Sequence, residues 1–342
     1  MTLYPGDDWD RAAPEDVGID SAGLDRARRW LADMAGDRGY RLAIVRDGYL
    51  VVDEARGIAP DAHLAIASAA KSIYSNVLGI AIAEGRILSP DAPVVDVYPE
   101  MMDVPEGEGP KENRYAFPKD RAIVWRQLIS NTSGYMKPGE EPGKVFNYQT
   151  YGMNVITHGV AKAYGLYDVA DPEGSPGFAQ LIRDKLARHI GARWTYTLTN
   201  FDLHARARLP IFGYYTQVQT TAPDLARVAW LWCNGGRWAD LQVVPAAWHA
   251  AAVRVNADLI ANAPRDQWQY GYAFWTNEQG VLWPDLPRDG YTASGAGGHY
   301  ATVFPSRRLV IVQNPGPYRQ DAPGGVTSAN PEFLAMVLAA CA

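Results

Sequence analysis

The sequence predicts an α/β fold of the α+β kind: an antiparallel sheet flanked by N- and C-terminal helices, with a large helical region inserted. Three observations predict it. An amphipathic helix and a hairpin pattern open the chain, the middle carries helical periodicity, and from about residue 268 the pattern turns β until a last helix closes it.

Residues 1–18, with Pro5 and Pro14, read as an irregular lead-in. Ser21 precedes an amphipathic segment, Leu24 to Met34, with apolar residues at helical spacing. Leu42-Ala43-Ile44-Val45 and Tyr49-Leu50-Val51-Val52 flank Arg46-Asp47-Gly48, a hairpin signal. Ser72 through Gly85 reads as helix, directly after Ser68 to Lys71. Residues 86–130 look irregular, with a Pro-, Gly- and charge-rich surface loop from Glu106 to Lys119, and Val124 to Ile129 as a short helix stopped at Gly134. Met153 to Tyr164 reads as helix, and 176–250 as mostly helical, including Phe178 to His189 and Ala222 to Leu231.

Strands are predicted at Gln269–Trp275, Gly280–Trp283, His299–Phe304 and Arg308–Val312, with a tight turn at Pro305-Ser306-Arg307. Pro331 begins the closing helix, Glu332 to Ala340. The domain division expected is residues 1–60 with 266–342 as the sheet domain and 61–265 as the inserted helical domain, with the active site at their interface.

Bulk composition narrows the function. Hydrophobic residues make up 47% and charged residues 20% of 342, the profile of an ordinary globular protein. A net charge of −6 and no basic stretch exclude nucleic acid and anionic membrane as expected partners. The 11 Trp and 19 Tyr suit a substrate cleft as well as a core, and Tyr214, Tyr215, Trp275 and Trp283 are candidates to line it. Two cysteines and six scattered histidines make neither a disulfide framework nor a metal cluster, so no cofactor and no metal are expected. The N-terminus has no basic and apolar leader pattern, and no apolar run approaches about 20 residues. A cytoplasmic location is the expectation.

The stretch that carries chemistry is Ser68-Ala69-Ala70-Lys71. If Ser68 opens the helix, Lys71 lies one turn above it on the same face. A serine hydroxyl needs an adjacent base, and a lysine amine serves if burial lowers its pKa. Unpaired N–H groups at the helix start can stabilise an oxyanion.

Two further stretches follow in order: Phe146-Asn147-Tyr148-Gln149-Thr150, and Ser294-Gly295-Ala296-Gly297-Gly298-His299. Together the three resemble the motifs of the serine β-lactamase and penicillin-binding-protein superfamily: Ser-x-x-Lys, Tyr-x-Asn or Ser-x-Asn, and Lys-Thr-Gly. Gln127 to Gly134, Thr221 to Arg227 and Tyr270-Gly271-Tyr272 resemble secondary markers of that family. The branch most similar is that of class C β-lactamase-like esterases and 6-aminohexanoate-oligomer hydrolases. The resemblance implies a β-lactamase/transpeptidase-like fold and a serine hydrolase acting on a small-molecule ester or amide. It assigns Ser68 as nucleophile, Lys71 as its base, and Tyr148 as second acid/base, with a phenolate stabilised by Lys71. The oxyanion hole would be the backbone N–H of Ser68 and His299, with the His299 side chain at the rim. Thr150, Gly297, Gly298 and His299 would contact substrate. Asp224 and Arg227 would form a structural ion pair.

Two departures bear on substrate. Thr150 stands where the family has Asn, and Ala296 where the lysine of Lys-Thr-Gly is expected. Loss of that cation disfavours a β-lactam or a peptide carboxylate, and leaves β-lactamase or D,D-peptidase action as the alternative. An acyltransferase, or a penicillin-binding sensor that acylates without turnover, is the remaining alternative.

Overall fold

Asp47 and Gly48 both adopt positive φ, 54° and 94°, which is the backbone a two-residue hairpin turn requires. They join β1 (Tyr40–Arg46) to β2 (Tyr49–Arg56), longer than the apolar runs alone suggested. The computed structural model describes residues 2–199, 208–212, 215–317 and 331–341. Among these the helices are α1 Ser21–Ala35, α2 Ala70–Ala83, α3 Trp125–Ile129, α4 Tyr151–Ala163, α5 Gly177–Lys185 and α6 Leu209–Phe212. Then follow α7 Ala222–Cys233, α8 Ala246–Ala252, α9 Ala257–Asn262 and α10 Pro331–Ala340. The later strands are β3 Leu64–Ala65, β4 Thr195–Thr199, β5 Tyr215–Thr220, β6 Arg237–Trp238 and β7 Leu241–Gln242. The last four are β8 Trp275–Thr276, β9 Tyr291–Gly295, β10 His299–Phe304 and β11 Leu309–Gln313.

The main sheet is antiparallel with order β2-β1-β11-β10-β9-β8. Both of its faces are covered. Leu42, Ile44, Tyr300 and Ile311 pack under α1 and α10 with Leu24, Leu31, Phe333 and Val337. Ala43, Val45, Ala301 and Val312 face the other way, toward α7 and α2. That two-sided burial is why β1 reads as an unbroken apolar run rather than an alternation.

α7 therefore covers the inner face of the sheet, although it lies within residues 61–265, the segment expected to form a separate helical domain. Its cap is Thr221, whose hydroxyl accepts from the Asp224 N–H, and the Asp224–Arg227 pair forms at 3.5 Å. The helix α2 is buried from Ala70 through Ala81, the pattern of a helix surrounded on all sides. Two of its buried polar side chains reach across the core: Ser72 donates to the Ala273 carbonyl at 2.6 Å, and Asn76 Oδ1 accepts from Trp232 at 2.7 Å.

Several elements differ from expectation. Residues 195–199 and 215–220, read as part of a helical stretch, form strands β4 and β5 of a second small sheet with β3. Their alternating Thr, Tyr and Val is a β pattern that the surrounding helical periodicity masked. Gln269–Trp275 is mostly loop, because Ala273 turns the chain with φ +64° and only Trp275–Thr276 pairs with β9. Gly280–Trp283 forms no strand, and β9 lies in a stretch where no strand was expected.

Candidate active site

Ser68 lies in a single 3₁₀ turn, Ala67–Ala69, that runs directly into α2. Ala67 carries φ +48°, a left-handed conformation that costs a residue with a side chain and persists only where the surroundings enforce it. The enforcement is visible on both sides: Ile66 N–H donates to the Val218 carbonyl of β5 at 3.0 Å, and the helix continues from Ala70. The turn leaves the Ser68 N–H in the first, intrahelically unpaired part of the helix start.

Lys71 is on the same face, with Nζ 2.5 Å from Ser68 Oγ. The side chain is 1% exposed, and among the described residues Ser68 is its only hydrogen-bond partner. Among the described residues no carboxylate offsets the charge. Burial alone pushes the amine down from its usual range to about 7, so the neutral, proton-accepting form is well populated near neutral pH.

The Tyr148 ring stands beside this pair. Lys71 Nζ lies 5.0 Å from its centroid, and Ser68 is close enough to the Tyr148 hydroxyl to act on its pKa. Stacking on Trp275 at 5.7 Å and an edge contact with Tyr270 at 5.9 Å hold the ring. The Tyr148 side chain as a whole is 39% exposed, yet crowding around its hydroxyl raises the phenol above its ordinary pKa, with Ser68 opposing it more weakly. Lys71 Nζ sits over the ring face, and the upward shift of the phenol runs against the expected phenolate.

At the sheet edge the register corrects the third motif. Gly295, the last residue of β9, packs on the nucleophile turn: a Cβ there would lie 2.1 Å from the Ile66 carbonyl oxygen and 2.9 Å from the Ala69 nitrogen. Beyond Thr292, the outer edge of β9 has no strand partner among the described residues, since β8 pairs only with Tyr291 and Thr292. His299 is opposite Gly295 on β10, one strand further from Ser68. It was expected to give an oxyanion N–H and to touch substrate, but the backbone that packs directly on the nucleophile turn is that of Gly295. Its side chain is 7% exposed rather than at the rim, and its Nδ1 has no hydrogen-bond partner among the described residues. Burial, and then Arg41, push the imidazole down to about 4.

Gly298 does not face substrate either. Its carbonyl accepts from Gly316 N–H at 2.7 Å, and a Cβ would meet the Gly316 backbone at 2.8 Å. Gly297 is exposed at the turn tip beside the His299 ring. With Gly295 as the motif glycine, Ala293 rather than Ala296 falls where the family has lysine. The cation is absent in either register.

Thr150 immediately precedes α4 and makes no hydrogen bond with Lys71 among the described residues. Of the aromatic candidates, Trp275 reaches the site through Tyr148, while Trp283 is buried in the core beneath α1 and α10. Tyr214 lies outside the described residues; Tyr215 is in β5. Sequence reasoning missed Asn131, which has φ +58° and bonds to both sides of Tyr148. The available signal was an Asn in the Ser130-Asn131-Thr132-Ser133-Gly134 turn, because Asn tolerates that conformation.

Comparison with known proteins agrees with this fold. The Beta-lactamase family model matches residues 27–313. A putative β-lactamase from Bacteroides dorei superposes with a TM-score of 0.68 at 17% identity, covering 94% of this chain and 98% of that one. A family VIII carboxylesterase gives 0.66 at 18%, covering 94% and 99%. A putative 6-aminohexanoate-dimer hydrolase from Bacillus anthracis gives 0.62 at 15%, covering 99% and 88%. With its matched span enclosing both the Ser68 turn and the β9 edge, the chain belongs to the Beta-lactamase family.

Proposed function

We propose that the protein is a serine hydrolase that cleaves a small ester or amide through an acyl-Ser68 intermediate. The observation that carries this reading is Lys71 Nζ at 2.5 Å from Ser68 Oγ, buried and brought to a pKa of about 7.

In the first step the neutral Lys71 amine takes the Ser68 proton while Oγ bonds to the substrate carbonyl carbon. The oxyanion is held by the N–H of Ser68 and, in place of His299, that of Ala296, the residue after the glycine packed on the turn. Collapse breaks the bond to the leaving group, which takes a proton from the neutral Tyr148 hydroxyl. The Lys71 ammonium then returns that proton to Tyr148. Water attacks the acyl-enzyme and loses a proton to Lys71, which passes it to Ser68 Oγ as the acyl–oxygen bond breaks, so the acid leaves with Ser68 and neutral Lys71 regenerated.

A neutral substrate is favoured because neither Ala293 nor Ala296 supplies a cation for a carboxylate. The wall formed by Phe146, Tyr148, Tyr270 and Trp275 is aromatic, which suits an apolar acyl or leaving group. Structural relatives described as a carboxylesterase and a 6-aminohexanoate-dimer hydrolase are in keeping with such substrates.

The test is intact-protein mass spectrometry over time with a short-chain p-nitrophenyl ester and, separately, a penicillin and a cephalosporin, using Ser68→Ala as control. A transient acyl adduct with ester turnover, absent from Ser68→Ala and slow with the β-lactams, is the expected result. Fast β-lactam turnover would replace the substrate reading with a β-lactamase, and a permanent β-lactam adduct would indicate a sensor.

A further inference from the structure

We propose that Asn131 is a positioning residue that fixes the Tyr148 hydroxyl over Ser68. This rests on the reading of Tyr148 as the proton donor to the leaving group. Asn131 makes three hydrogen bonds around that one side chain. Its carbonyl accepts from the Asn147 N–H at 2.9 Å, and its side-chain Oδ1 accepts from the Gln149 N–H at 2.9 Å. Its Nδ2 donates to the Tyr270 hydroxyl at 3.3 Å. The first two grip the peptides on either side of Tyr148. The third reaches the ring that supports Tyr148 edge-on at 5.9 Å.

The segment gripped in this way has no regular structure of its own. Residues 137–150 form neither helix nor strand before α4 begins at Tyr151. A tyrosine on such a loop has backbone freedom that would move its hydroxyl by more than the tolerance of proton transfer, so the loop needs outside anchors. Asn131 is suited to supply them. It is 2% exposed, follows the short helix α3 and sits at φ +58°, where its carbonyl and its amide both turn toward the loop. A second strap, Gly143 N–H to the Thr132 carbonyl at 2.7 Å, holds the same loop further out.

Asn131→Gly separates the parts of this arrangement. Glycine accepts φ +58° without strain and keeps the carbonyl bond to Asn147, while the bonds to Gln149 and Tyr270 are lost. The expected result is a kcat at least tenfold lower on an ester whose leaving group needs a proton, with KM within twofold of the wild type. Asn131→Asp retains an acceptor for Gln149 and tolerates the same φ, and is expected to recover kcat to within about threefold. In a Tyr148→Phe background Asn131→Gly is expected to cost less than twofold more, because the group it positions is already gone.

An unchanged kcat in Asn131→Gly would overturn the proposal. So would an equal loss in the wild-type and Tyr148→Phe backgrounds, since Asn131 would then act otherwise than through Tyr148. Should Asn131→Gly not fold, Tyr270→Phe carries the test: a lower kcat at constant KM supports the proposal, and a wild-type kcat overturns it. Failure of the underlying reading looks different, because Tyr148→Phe alone would then keep wild-type activity.

Discussion

Gly295 and Ile66 approach so closely that a Cβ on the glycine would sit 2.1 Å from the Ile66 carbonyl oxygen. This contact seats the free edge of β9 against the nucleophile turn. Gly295→Ala must push the two apart, so a loss of activity of a hundredfold or more is expected, with a lowered melting temperature. Gly297→Ala, at the exposed tip with φ +87°, is expected to cost about 1 kcal/mol of stability and to leave most of the activity. Ester kinetics and thermal unfolding of the two variants side by side check this; equal activity losses would contradict it.

The 2.5 Å contact between Lys71 and Ser68 makes a sharper claim about charge. Lys71→Arg keeps a cation that cannot give up its proton, so it is expected to be as inactive as Ser68→Ala, each down about a thousandfold or more in kcat. A substantially active Lys71→Arg enzyme would show that charge, not basicity, is what the site uses.

The same amine sets the pH profile. Its pKa of about 7 means that kcat/KM rises from pH 5.5 to 8 with an inflection near 7, as the ammonium loses its proton. A profile flat across that range would exclude Lys71 as the base.

Keeping that amine buried is destabilising. Because the folded pKa lies below the unfolded value near 10.4, the unfolded chain binds the extra proton, and stability rises with pH between about 7 and 10. Lys71→Met, similar in shape and uncharged, is therefore expected to abolish activity while gaining roughly 1–3 kcal/mol at pH 7. Denaturant unfolding measures the gain, and a less stable Lys71→Met would contradict it.

Three buried imidazoles add an acid limit. Burial pushes His158, His249 and His299 down to about 4, against about 6.5 when unfolded. Below pH 6.5 the unfolded chain takes up protons that the fold excludes, so stability is full above 6.5 and is lost toward 4. The loss is up to roughly 3 kcal/mol per imidazole, and urea unfolding at pH 7, 5.5 and 4.5 reads it.

By itself the sequence determined the first hairpin, the strands β10 and β11 and the flanking helices of the sheet, because β1, α1 and α10 carry their burial pattern in local periodicity. It likewise brought Ser68 and Lys71 together, since a helical turn fixes residues three apart whatever surrounds them. Tertiary structure alone decided which backbone faces the nucleophile. Gly295 and His299 are four residues apart in one glycine-rich stretch, and only the hairpin between β9 and β10 puts the first beside Ser68 and the second a strand away. It also decided the state of the Tyr148 phenol and the grip of Asn131. Desolvation and long-range hydrogen bonds depend on what packs around a group, and local sequence does not encode that.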